Sequence, residues 1–371
     1  MNKRLRDAAI IIFNSVVLVG GVDFLFGAYV YSYLFEGAAE NESEIIPAGA
    51  CRVKDEIYHH GLKSSFIGTD SWEKKYDLCT NEYGMKAACE DVRNSRKAFD
   101  IAFIGDSFTE GIGLPYQKTF VGIIAKSMPE KAIANLGVAS YSPSIYLTKV
   151  KHFLEQGFQF KEVIIYIDIS DIQDEAIYYS IIDGKVKDVT LPHDVSPPAV
   201  ASPPTNAFAR KYFPLSYELL HQIKARAMAD PSERMEREAV WNELRSAWTY
   251  RPDSPGYGPM GIERGIAKAV GALEELFNYL DRRGIPLSVG VYPWPAQLRW
   301  DTEDSRQVQI WRKFCERRCK HFFNSFPSFF RELRRSDFDT VYRRYYIARD
   351  THYNESGNEI LARDFLTEYT R

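Results

Sequence analysis

Five cysteines among 371 residues are too few for a disulfide scaffold. There is no surplus of either charge: 47 Lys and Arg stand against 50 Asp and Glu, a formal net charge of -3. A nucleic-acid binder normally shows a basic excess or stripe, so that class is excluded. Long apolar runs are confined to the first forty residues, which excludes a many-span membrane protein. What is present is ordinary for a globular chain: 45% hydrophobic and 26% charged, enough apolar content to exclude wholesale disorder. The length suits one large domain plus an appendage.

The appendage is the N-terminus. Residues 8–35 read AAIIIFNSVVLVGGVDFLFGAYVYSYLF, and a helix needs about 20 apolar residues to cross a bilayer. Lys3, Arg4 and Arg6 precede the run; Glu36, Glu40, Glu42 and Glu44 follow it. Basic flanks stay in the cytoplasm, and Tyr29, Tyr31 and Tyr33 suit an interfacial belt. Asp23 costs about 2.5–3.5 kcal/mol inside the membrane and marks a site for a helix partner. The surrounding apolar residues each return about 0.3–0.6 kcal/mol. A cleaved signal has an apolar region of about 7–15 residues, shorter than this one. The expectation is therefore a cytoplasmic tail at 1–7, a single transmembrane anchor at 8–35 in the inner (plasma) membrane, and a periplasmic or otherwise extracytoplasmic body.

Residues 36–97 are polar without a sustained period and read as a stalk and lead-in. From residue 98 short apolar runs at 99–104, 131–136, 162–169 and 285–292 alternate with helical stretches at 119–128, 144–156, 265–283 and 356–369, the last capped by Asn354. This alternation predicts an α/β fold, a three-layer α/β/α sandwich around a parallel sheet, over 98–371. Pro192, Pro197, Pro198, Pro203 and Pro204 break the rhythm. A charged helical piece at 215–248 follows, so 190–260 is read as an insertion over one sheet edge.

The first run stops at Gly105-Asp106-Ser107-Phe108-Thr109-Glu110-Gly111. A serine in a Gly-flanked turn at the carboxyl end of a parallel strand stands where open α/β sheets bind ligands. Taken alone it is equally a helix cap. Far downstream, Asp350-Thr351-His352 precedes the last helix. A serine hydroxyl is a weak nucleophile near pH 7 and needs a base; His supplies it, and a carboxylate orients the His.

Together these residues resemble the SGNH/GDSL hydrolase superfamily. Gly105-Asp106-Ser107 is similar to its nucleophile block, and Asp350 and His352 to its acid and base block, with one intervening residue where two are usual. That shorter form resembles periplasmic alginate O-acetylation proteins and related exopolysaccharide acetyltransferase-like proteins. Tyr58-His59-His60-Gly61, Tyr76, Thr80-Asn81 and Gly84 resemble the lead-in of membrane-anchored relatives. The resemblance implies an acyl-enzyme on Ser107, with His352 as base and Asp350 orienting it. The second block is matched by residues 135–140, with Ser140 at the oxyanion Gly; the third reads Asp168-Ile169-Ser170-Asp171, with Ser170 in place of Asn. The Ser107 and Ser140 amides and the Ser170 hydroxyl are thus the expected oxyanion donors. Asp106 and Trp294 are expected to contact substrate, Trp294 by stacking on a sugar ring. The implied activity is a serine esterase or O-acetyltransferase on cell-surface or exported polysaccharide, without cofactor, and with a membrane acyltransferase as a partner. The alternative is a non-catalytic subunit of a polysaccharide-modifying complex that retains the fold.

Asp168, Asp171, Asp174 and Glu175 have the density of a metal site, but a solvated strand-end loop is the preferred reading and no metal is expected. His59 and His60 lack a ligand partner at metal spacing and are read as structural. In an exported body Cys79 and Cys89 are near enough in sequence to bridge a loop. Cys315 and Cys319 share one helical face, where a bridge is strained, and Cys51 is left over. Connectivity does not follow from sequence.

Overall fold

A computed structural model describes residues 51–72, 74–189 and 243–370, together with 21–24, 26, 212, 213 and 216. The lead-in is two antiparallel hairpins, β1 (Arg52–Asp55) with β2 (His59–Leu62) and β3 (Ile67–Trp72) with β4 (Lys74–Cys79). Five parallel strands then form the central sheet: β5 (Ile101–Gly105), β6 (Ile133–Asn135), β7 (Val163–Ile167), β10 (Leu287–Val291) and β11 (Cys319–Asn324). A separate hairpin, β8 (Tyr179–Ile182) with β9 (Lys185–Asp188), lies between β7 and β10 in sequence.

The sheet order is β11-β10-β7-β5-β6. Every residue of β5, β7 and β10 is buried, because helices cover both sheet faces and leave no solvent side. These helices include α1 (Ser107–Glu110), α2 (Phe120–Ser127), α3 (Pro143–Glu155), α4 (Asp171–Ile177), α5 (Gly261–Asp281), α6 (Pro295–Trp300), α7 (Arg306–Cys315) and α8 (Glu355–Tyr369). α2 packs with α8; α3 and α4 pack with α5. Phe103 turns toward the first group, its ring 5.9 Å from Phe120 and 5.3 Å from Phe365. The chain leaves β5 toward β6 on one side and returns to β7 on the other. The strand order therefore reverses between β5 and β7, and a crevice for ligand opens at their carboxyl ends.

The α/β architecture with a parallel sheet agrees with the sequence expectation, and four of the five strands overlap the runs foreseen, β5 running one residue past its own. β11 was not foreseen: CKHFFN carries polar residues because it is an edge strand, half-covered along most of its length. The bridges pair Cys79 with Cys89 and Cys315 with Cys319, leaving Cys51 buried and free. The expectation that Cys315 and Cys319 share one helical face is corrected. One ends α7 and the other opens β11, so the bond ties a helix to the sheet edge.

Contacts divide the chain into two units, Met1–Ile45 with Pro198–Arg234, and Ile46–Pro197 with Met235–Arg371. In the first, residues 21–24 are helical, Asp23 accepts the Ser216 N–H at 2.6 Å, and the Phe24 ring lies 5.9 Å from Tyr212. Among the described residues no helix is long and apolar enough to cross a membrane. The expected anchor at 8–35, apart from those few positions, lies outside the described residues, as does most of the expected insertion.

Candidate active site

β5 ends at Gly105, and nothing larger fits there: a Cβ would stand 2.1 Å from Thr109 Oγ1 and 2.6 Å from Tyr166 O. The chain turns at once into α1, which ends after one turn at Gly111 in the left-handed region (φ 75°). Ser107 is thereby held at the carboxyl end of β5, half-buried. The loop 346–354 brings the other two residues to it. His352 Nε2 lies 2.7 Å from Ser107 Oγ, and His352 Nδ1 lies 2.5 Å from Asp350 Oδ1. Asp350 Oδ1 also accepts the His352 backbone N–H at 2.8 Å. A carboxylate at Nδ1 places the proton there, so Nε2 accepts the serine proton. The Asn354 side chain caps α8 by accepting the Gly357 N–H, which fixes the loop's exit.

The charges follow from these contacts. Burial alone would push the Asp350 carboxyl up, but His352 and the hydrogen bonds to it hold it down at about 2. Burial pulls His352 down, and the Asp350 carboxylate outweighs it, so the imidazole is more basic than usual. The pair is a carboxylate beside a base suited to taking a proton.

Three site expectations are corrected. Ser170 is buried, and its hydroxyl donates to Asp168 Oδ1 at 2.5 Å, so its one proton is not available as an oxyanion donor. Trp294 is 3% exposed, and its Nε1 donates to Asp168 Oδ2 at 2.6 Å; a ring so enclosed cannot stack on a sugar. Asp106 is 4% exposed and accepts the Phe108 N–H (2.9 Å) and the Tyr292 hydroxyl (3.2 Å), so it is the cap of α1 rather than a substrate contact. The Ser140 N–H has no acceptor among the described residues, and its φ of 62° is left-handed, sparsely populated for a non-glycine.

The acidic cluster also differs from the expected one. Asp174 pairs with Arg245 at 2.5 Å, and Glu175 accepts from Ser142 and Ser144 at the start of α3. Asp168 and Asp171 instead join Asp106, with one oxygen from each lying within 4.8 Å of the others. Donors already occupy much of this set: Ser170, Trp294, Tyr292, Phe108 N–H and the Tyr146 hydroxyl on Asp171 Oδ2. Burial, and then the neighbouring Asp168, push Asp106 up to about 8; burial, Asp106 and Asp168 push Asp171 well up. The cluster behind Ser107 therefore holds protons at neutral pH.

The lead-in reaches the site at two places that sequence did not reveal. The Trp72 indole N–H donates to Asp350 Oδ2, and the ring meets His352 edge-on at 5.3 Å. Arg52 pairs with the fully buried Glu110 at 2.6 Å. The other Glu110 oxygen accepts the Ala139 N–H at 2.8 Å, and His60 Nε2 donates to Ala139 O at 2.8 Å. Burial holds His60 down at about 3, so it is neutral. Both polar groups of the residue before Ser140 are thus fixed. No local signal marks Trp72 or Arg52, since each lies in a strand of mixed exposure.

No family model matches the chain, and no curated protein matches it. Among solved structures it is similar to a member of the lipolytic G-D-S-L family from Veillonella parvula (12% identity over 73% of this chain and 98% of that one, TM-score 0.40). It is also similar to the psychrotrophic esterase EstA from Pseudoalteromonas (10% over 74% and 97%, TM-score 0.39) and to the acetylxylan esterase Axe2 from Geobacillus stearothermophilus (13% over 72% and 93%, TM-score 0.39).

Proposed function

We propose that the protein is a serine esterase or O-acyltransferase, anchored in the membrane by its N-terminus and acting on extracytoplasmic carbohydrate. The observation that carries the reading is the contact chain from Ser107 Oγ through His352 to Asp350 at the strand-order reversal. Ser107 Oγ attacks an ester carbonyl carbon while His352 Nε2 takes its proton. Asp350 holds the imidazole by Nδ1 and stabilises its charged form. The Ser107 and Ser140 amides receive the developing oxyanion. His352 returns the proton to the leaving alkoxide, and an acyl-enzyme remains. Water gives hydrolysis and a sugar hydroxyl gives transfer, each activated by the same imidazole. That the acyl group is acetyl and the acceptor a polysaccharide rests on the motif resemblance.

One observation favours a non-catalytic subunit instead: with Ser170 bound to Asp168, the side-chain oxyanion donor is gone. Losing one such donor costs about 2.7–4 kcal/mol in barrier. A serine-reactive phosphonate separates the two readings. We expect covalent labelling of the wild type and none of Ser107→Ala; an unlabelled wild type overturns the enzyme reading. An activated acetyl ester, offered with and without oligosaccharides and read by mass spectrometry, separates hydrolysis from transfer.

A further inference from the structure

We infer that Trp72, from the lead-in, is a positioning residue for the triad: its indole N–H locks the Asp350 carboxylate in the orientation that serves His352. The inference rests on the esterase reading above for its effect on rate, and on geometry for its existence.

Asp350 has two carboxylate oxygens with different duties. Oδ1 accepts both the His352 backbone N–H and Nδ1–H. For Oδ2 the one donor among the described residues is Trp72 Nε1. A carboxylate held at one oxygen only can rotate about its last bond and exchange oxygens. A donor on the second oxygen removes that freedom. The indole suits this task because it offers a single N–H and no acceptor. Its ring is itself held, edge-on to His352 at 5.3 Å, at the end of β3, where Trp72 pairs with Lys74 across the hairpin. The loop is fixed from behind as well: the Tyr342 hydroxyl donates to Asp350 O at 2.8 Å. Backbone and side chain of the acid are thus each held, by Tyr342 and by Trp72, the latter from 278 residues away in sequence. The loop carrying Asp350 and His352 is therefore not a self-sufficient acid–base unit, and it requires the hairpin β3–β4.

The test is Trp72→Phe in the full-length chain, which keeps a ring and removes the donor. A hydrogen bond to a charged group of this kind corresponds to a roughly 10- to 100-fold fall in kcat, with KM little changed. The acid limb of the kcat/KM profile, which reports His352 in the free enzyme, moves to higher pH, because a carboxylate stripped of its donor holds the imidazolium more tightly. A packing role alone would lower the folded fraction without moving that limb. Wild-type kcat and an unmoved limb in the folded variant overturn the inference. A second measurement needs neither substrate nor variant. In the wild type, the Trp72 indole 1H–15N signal should follow the titration of the Asp350–His352 pair. A signal insensitive to that titration overturns the inference, whether or not the protein proves to be an esterase; a phosphonate-inert wild type speaks against the esterase reading alone.

Discussion

The strand-end loops and the lead-in hairpins both touch the site, yet they are built on opposite terms. The loops after β5 and β7 leave strands whose residues are all buried, so their positions are fixed by the packing of a doubly covered sheet. The hairpins are mixed: β3 reads exposed and half-buried in turn along its length, while β2 and β4 bury Leu62, Tyr76 and Leu78 in the common core. They are held to the body by these buried side chains and by polar contacts: Arg52 with Glu110, His60 with Ala139, and Lys86 with the carbonyls of Gly111 and Leu114. The Cys79–Cys89 bond closes the segment behind them. The sheet thus places Ser107, the loop 346–354 brings Asp350 and His352 to it, and the lead-in touches that loop through Trp72.

The largest effect is expected in the loop 346–354. Asp350→Asn keeps the fold but favours the wrong His352 tautomer, and kcat at neutral pH should fall about 10^4-fold. A drop of less than tenfold in ester hydrolysis would show that Asp350 does not orient the base. Next is the lead-in. Arg52→Ala leaves the buried Glu110 side chain without its ion-pair partner, which costs about 3–5 kcal/mol. The urea midpoint should fall accordingly, and the double variant with Glu110→Gln should recover much of the loss. An unchanged midpoint would mean that the hairpins are not docked through this pair.

The smallest effect concerns pH. Asp106 binds its proton more tightly folded than unfolded, so its contribution is fully present below about pH 4 and is lost as pH rises through about 8. Asp350 runs the other way: held at about 2, it contributes above about pH 4 and loses that contribution as pH falls toward 2. Asp106→Asn should flatten the decline of Tm between about pH 4 and 8. An undiminished slope would place the proton elsewhere in the cluster.

Much of the sheet side was legible in sequence, and little of the lead-in. β5, β7 and β10 stand out as short, largely apolar runs because burial on both faces admits a polar residue only where it finds a partner, as Ser288 of β10 does with Glu162. β11 does not, because an edge strand tolerates Lys320 and His321. Ser107, Asp350 and His352 could be singled out because nucleophile, acid and base must each be a particular residue type at a particular strand or loop end. Asp106, Ser170 and Trp294 were placed at the correct strand ends and given the wrong roles. Position along the chain says where a backbone lies, not whether its side chain turns outward to substrate or inward to Asp168. Trp72 had no signal, since its partner is set by docking between distant segments.

Ser107 and His352 are 245 residues apart, and Asp350 and Trp72 are 278 apart. Such contacts close very long loops, and their entropy is repaid only after most of the fold is in place. A chain made from its N-terminus carries Ser107 long before His352 exists. Throughout synthesis Ser107 therefore has no imidazole beside it. The contact of Ser107 with His352 and Asp350 is a late event of folding, formed when the loop 346–354 meets the hairpin β3–β4.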